Sequence, residues 1–192
     1  MPSTTQPHPA QREAEPHPSP PRNVSNAVSY TPHPEASISI SPARQEIQDH
    51  ILRLYQGSAS EEDMKAYAEK AVYDDPFSYC DTRYKIAGQW YGIPKLFSNT
   101  ETLATEVVSS TDDELVWKQR QRYTFAGLHV SKTADSLVSL RLEKQGTAGD
   151  EKVVYHKDMW NEKDYSHEGL GALMKKLNGD YLTYVTQPPE SL

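Results

Sequence analysis

Cysteine is almost absent from this chain of 192 residues: Cys80 stands alone, so no internal disulfide can form, which favours a reducing compartment. With no helix N-terminus or basic group next to it in sequence, that thiol reads as partly buried and inert. Long apolar runs are missing too. None approaches the roughly 18 residues that a membrane-spanning helix needs. The start, Met1-Pro2-Ser3-Thr4, carries neither a basic nor an apolar targeting segment, so a cytoplasmic protein without membrane contact is expected. Lys and Arg form no stripe, and the net charge of −7 is spread rather than blocked, which argues against nucleic acid as a partner. Glycine-rich phosphate loops, dinucleotide fingerprints and internal repeats are all lacking, so no cofactor is implied. His129 and His167 show no ligand spacing, and His156-x-Asp158 supplies two metal ligands at most where a structural zinc site takes four, so no metal is expected.

What is abundant is proline, and it is unevenly placed. Ten of the fourteen prolines fall within the first 42 residues, a stretch with no Leu, Phe or Trp and with Val24, Val28, Ile38 and Ile40 as its only β-branched aliphatics. Such a composition buries too little apolar surface to offset the entropy of ordering a backbone. Residues 1–43 are therefore expected to be a disordered leader, 44–182 a single domain, and 183–192 a flexible tail.

Within the domain, Ile47, Ile51, Leu54 and Tyr55 form one stripe of a first helix that ends at Gly57. Ser60 reads as the cap of a second helix lined by Met64, Tyr67, Ala68 and Ala71. Pro76 forces Asp75 out of helical geometry, and Val72 to Tyr79 becomes extended. Gly88 and Gly92 bracket an apolar segment with a short helix near residues 91–98. Thr100 to Ser109 reads as a strand. The clearest strand puts Leu115, Trp117, Gln119, Gln121, Tyr123 and Phe125 on one face and Lys118, Arg120 and Arg122 on the other. Leu137 to Leu142 and Lys152 to Trp160 pair as a hairpin, and a last helix starts at Ser166-His167-Glu168-Gly169. Helices followed by a run of antiparallel strands is an α+β order. The expected architecture is a cone, with N-terminal helices packed on a strongly curved, mainly antiparallel sheet and a C-terminal helix closing it.

Two segments, Ala71-Val72-Tyr73-Asp74-Asp75-Pro76 and Glu151 to Trp160 with its His156, Asp158 and Trp160, resemble the nuclear transport factor two-like superfamily, its SnoaL-like branch in particular. With the Gly88 to Phe97 segment the likeness covers residues 44–160. The resemblance implies a cavity inside the cone, and a scaffold that serves isomerases, cyclases, dehydratases and pure binding proteins alike. In the steroid isomerase branch the Asp before that Pro is a general base, which Asp75 would match. That branch also holds an enolate oxygen with a tyrosine on the first helix and a protonated acid on the middle strand. Here His50 stands at the tyrosine's place and Val138 at the acid's, so both donors are missing. His156 and Asp158 match the His and Asp of the cyclase branch.

Each candidate has a bland reading beside the functional one. Asp75, a base at a cavity mouth, equally caps its own turn. His156 and Asp158, two apart on a strand and so on one side of it, form either an acid–base pair or a hydrogen-bonded polar interior. Gln119 and Gln121 suit a pocket floor or a wet dimer surface. The expected pocket lining is Tyr73, Trp90, Trp117, Gln119, Gln121, Tyr123 and Trp160, aromatics that are otherwise simply core. Three functions compete: a binding or accessory protein for an apolar or aromatic small molecule; a cofactor-independent isomerase, cyclase or dehydratase using Asp75 with His156 or Asp158; and a homodimeric scaffold with a vestigial cavity.

Overall fold

The computed structural model describes residues 29–127, 130–145, 150–160 and 170–192, with side chains of the last span taken from 176 onward. Among these, a 3-10 turn at Pro34–Ala36 is followed by α1 (Pro42–Tyr55), α2 (Glu61–Met64), β1 (Tyr67–Asp74) and β2 (Tyr79–Cys80). Then come α3 (Arg83–Leu96), β3 (Phe97–Ser110), β4 (Glu114–Phe125), β5 (Ser131–Gln145), β6 (Asp150–Trp160) and α4 (Leu170–Thr186).

Ser41 opens α1: its hydroxyl accepts from the Arg44 amide, and Pro42 takes the first helical position, where a missing N–H is harmless. Ile47, Ile51, Leu54 and Tyr55 are buried as one stripe. A buried arginine clamps the start of this helix. The Arg44 guanidinium donates to the carbonyls of Thr111, Asp112 and Glu114, and forks onto Glu151 at 3.0 and 3.2 Å.

The second helix stops after one turn. Tyr67, Ala68 and Ala71, expected on its stripe, belong instead to β1, which runs parallel to β6. Apart from Glu69 and Lys70, where the register shifts, every residue of β1 is buried, so the strand carries no period-two pattern. A strand covered on both faces reads as a continuous apolar run, which a helix explains equally well.

The sheet is open, in the order β2-β1-β6-β5-β4-β3, and antiparallel except for the β1–β6 pair. Three register shifts between β3 and β4 and one between β5 and β6 bend the long strands over the helices. The result is the α+β cone expected from the element order, with one apolar core running from α1 through α3 to the inner face of β4, β5 and β6. On the other face of β4, Lys118, Arg120 and Arg122 pair with Glu106, Asp135 and Glu101. Among the described residues no helix is long and apolar enough to cross a membrane.

Helix α3 is longer than its glycines suggest. Gly88 and Gly92 lie inside it and face α4: a Cβ at Gly88 would stand 2.9 Å from Thr183 Cγ2, and one at Gly92 3.4 Å from Thr186 Cγ2. Both glycines let two helices approach rather than mark the ends of one. Pro94 is accommodated in the last turn, just before β3 begins at Phe97.

Both expected boundaries of the domain move outward. Tyr30 is fully buried, the Thr31 hydroxyl donates to Asp135 at 3.0 Å, the His33 amide donates to Glu106 at 2.7 Å, and the Ile38 amide donates to the Val107 carbonyl on edge strand β3. The composition argument for a leader ending at 43 passed over Tyr30, an aromatic with enough area to anchor a short segment. Residues 1–28 lie outside the described residues. At the other end α4 continues to Thr186, which is buried, and Leu192 packs against the core, so the stretch from 183 is not a free tail. The expected start of that helix at 166–169 lies outside the described residues.

Deleting residues 1–40 therefore removes a buried tyrosine and a row of sheet-edge hydrogen bonds that deleting 1–28 leaves in place. The longer deletion should lower stability by about 3 kcal/mol or more relative to the shorter, a Tm drop of roughly 6–12 °C. Equal melting temperatures by calorimetry would show that residues 29–40 contribute nothing to the fold.

Candidate functional site

Pairing across the sheet places the inner-face side chains in rows. Tyr73, His156, Leu140 and Leu115 are lateral neighbours in one row, and Asp158, Val138 and Trp117 in the next. Trp160, Ser136 and Gln119 follow in a third. Asp158 is thus a carboxyl set among valine, tryptophan and tyrosine at the centre of the sheet, 2 % exposed. Burial pushes its pKa up from 3.8 to about 7; the neighbouring Trp160, Tyr55 and Ser136 side chains oppose the rise, and the charge of Asp75 adds to it.

The last residue of α1 reaches this carboxyl. Tyr55 Oη donates to Asp158 Oδ2 at 2.7 Å and lies 3.2 Å from His156 Nε2, while Tyr67 Oη lies 2.7 Å from His156 Nδ1. One tautomer satisfies the whole run: Tyr67 donates to Nδ1, Nε2–H donates to Tyr55, and Tyr55 donates to Asp158. Burial holds the His156 imidazole down to about 3, so it is neutral near pH 7. The phenols of Tyr55, Tyr67 and Tyr73 are all raised well above their ordinary value, burial being the chief cause. His156 is boxed by rings, with Tyr67 stacked at 6.0 Å and Tyr73 edge-on at 4.9 Å.

A cavity of about 390 Å³ opens above this floor, between α3 and the sheet. Of the residues expected from sequence, Tyr73, Asp75, Trp90, Tyr123, Asp158 and Trp160 line it. Four others do not. His156 lies behind the wall, touching the cavity's lining through Tyr55. Trp117, Gln119 and Gln121 form a buried chain beneath it: Trp117 Nε1 donates to Gln119 Oε1 at 3.1 Å, Gln119 Nε2 to Gln121 Oε1 at 3.3 Å, and Gln121 Nε2 to the Tyr55 carbonyl at 3.2 Å. That carbonyl is in the last turn of α1, where no intrahelical partner exists, so Gln121 caps the helix from across the fold. Because Gln119 and Gln121 are sealed inside, the reading of their face as a dimer surface is corrected.

Asp75 holds its turn and faces the cavity at once. Its Oδ1 accepts from the Phe77 and Ser78 amides at 2.7 and 2.6 Å, and its Oδ2 accepts from Tyr73 Oη at 2.9 Å. On the opposite face of the sheet, Asp74 binds Lys157 at 2.6 Å. Cys80 is buried, its thiol pushed well up by burial. Among the described residues, no three His, Cys, Asp or Glu side chains cluster as metal ligands.

His50, placed by the resemblance where the isomerases have a tyrosine, turns away to Asp63 at 2.8 Å. Tyr55, five residues on and about 140° around the helix, brings a phenol to the floor. The lateral neighbour of Val138 on β6 is Asp158. Sequence reading took Tyr55 as the last member of a core stripe; its polar tip, which needs a partner when buried, was the available signal. Tyr67 was hidden by the helical reading of β1.

Two solved structures frame this geometry. A nuclear transport factor two-like protein from Anabaena variabilis superposes with a TM-score of 0.54 at 10% identity, over 68% of this chain and 98% of that one. A hypothetical protein with a ketosteroid isomerase-like fold from Catenulispora acidiphila, in complex with trimethylamine, gives 0.50 at 16% identity, over 62% of this chain and 85% of that one. No protein-family model and no curated protein matches the chain.

The two buried titrating groups act on stability with opposite signs. Asp158 holds its proton more tightly folded than unfolded, so its contribution is complete below about pH 4 and is lost as pH rises through 7. His156 contributes above its ordinary 6.5 and loses that contribution as pH falls toward 3. Asp158→Asn removes the first slope only. Its unfolding free energy should gain on wild type by about 1.4 kcal/mol per pH unit between pH 4 and 7. Urea titrations at half-unit intervals measure this; a pH-independent difference would mean that Asp158 is already ionised throughout.

Proposed function

The chain has the nuclear transport factor two-like fold, and we propose that it binds a small, largely apolar molecule in the cavity over Asp158. The observation that carries this reading is the composition of the cavity's wall. Tyr73, Phe77, Trp90, Phe97, Tyr123 and Trp160 enclose a space that two carboxyls, Asp75 and Asp158, also line. A mostly apolar wall with a few placed polar groups is the arrangement that holds and orients a ligand. The cavity is large enough for a ligand of modest size, within the ~300–1,000 Å³ of ordinary small-molecule sites.

The test is occupancy. Native mass spectra of protein isolated from its own cells should carry a small-molecule adduct, and Ala134→Trp, which fills the cavity from β5, should lose the adduct while keeping its melting temperature. Wild-type protein free of any adduct, together with failure of a broad small-molecule set to raise its Tm, would overturn the binding role.

A second reading, proton transfer on the bound molecule, is favoured by one feature: two carboxyls share the cavity, one of them titrating near neutrality. In that case Asp75→Asn, whose amide oxygen still accepts from the Phe77 and Ser78 amides, should keep the fold and ligand affinity but lose roughly two decades of rate. Asp75→Ala, lacking that acceptor, should in addition lose about 1 kcal/mol of stability. Unchanged turnover in Asp75→Asn would remove Asp75 from the chemistry.

A further inference from the structure

The lining of the cavity is unusual in its charge. Rings enter from both halves of the sheet: Phe77 and Trp160 meet edge to face at 5.4 Å beside β1 and β6, and Phe97 packs on Tyr123 and Phe125, each at 5.0 Å, beside β3 and β4. Asp75 and Asp158 line the same space. The one basic side chain of the lining is Lys132, exposed at the edge of β5.

These features sort ligands by charge. An anion would meet two carboxyls and no buried cation. A neutral hydrocarbon would fill the aromatic part and draw nothing from the two carboxyls. A cation is attracted both by the carboxyls and by the negative faces of the rings, and the low polarity of the site strengthens both attractions. Resting on the binding role proposed above, we infer that the ligand is a small organic cation, a substituted ammonium whose body fills the aromatic walls and whose charge lies on the side of the cavity that Asp75 and Asp158 line.

The groups around Asp158 leave it as the titrating centre. Tyr55 reaches it from α1, Trp160 from its own strand, Ser136 from β5, and Asp75 acts on it from the turn after β1. The phenols of the site have raised pKa values and His156 on the same strand is neutral near pH 7; Asp75 and Lys132 are the other acidic and basic side chains of the lining.

Choline and its uncharged isostere 3,3-dimethylbutan-1-ol serve as probes, since they share a shape and the quaternary ammonium carries no titrating proton. Calorimetric titration of the full chain at pH 8 should show choline binding at least about tenfold tighter than the alcohol, as expected for a charge over aromatic rings with a carboxylate. Choline affinity should fall about tenfold from pH 8 to pH 6 as Asp158 takes up its proton, while that of the alcohol stays flat. In Asp158→Asn the pH dependence of choline binding should vanish and the choline preference should shrink to what Asp75 and the rings supply; if that variant does not fold, the pH series on the intact chain decides. Equal, pH-independent affinities for the two probes would overturn the cation and leave a small-molecule site standing. Failure of both to bind at millimolar concentration, with the same failure for neutral aromatics, would overturn the cation and the binding role together.

Discussion

The phenol of Tyr55 ties the end of the first helix to the middle of the sheet, and the interior is organised around that tie. Its hydroxyl donates to Asp158 and contacts His156, while its backbone carbonyl accepts from Gln121. One residue therefore joins α1 to β4 and β6. Each of these bonds is buried, where its net contribution is modest but the consequence of leaving a partner unmet is larger. The rings of Trp90, Tyr73 and Tyr67 then close around His156, so the polar chain is enclosed on its inner side and meets the cavity where Tyr55 and Asp158 line it.

The two faces of β6 treat charge in opposite ways. Lys157 points outward and is held by Asp74 at 2.6 Å, a buried ion pair to which Tyr155 also donates. His156 and Asp158 point inward, where no lysine or arginine reaches them among the described contacts. Desolvation without a counter-charge favours the neutral form, which is why the inner carboxyl titrates near 7 and the inner imidazole does not charge at neutral pH. A ligand that brought a positive charge would supply the counter-charge that the inner face lacks, which is the physical ground of the proposed cation.

Elements with one buried and one exposed face were legible. The alternation along β4, the stripe of α1 and the cap at Ser60 all read correctly because each pattern records a single boundary between core and water. Asp75 was legible as both turn cap and cavity residue, because the proline after it restricts the backbone in any context. Three features did not read. β1 is buried on both faces and lost its period; Gly88 and Gly92 looked like breaks but serve a helix contact; and Tyr30 was outweighed by the prolines around it.

From composition and periodicity alone, this chain was an α+β domain with a polar pair on its last strand and an acidic turn at Pro76, because those traits arise from neighbours within a few residues. Which of those groups meet was decided only by the tertiary structure. The placement of β6 between β1 and β5, the bulges that bend β3 against β4, and the swing of Tyr55 onto Asp158 all depend on contacts between residues distant in sequence. Such contacts also determine how far burial moves a pKa. A local pattern can name a carboxyl on the inner face of a strand; only the packed surroundings determine that it stays partly protonated at neutral pH and faces an aromatic cavity.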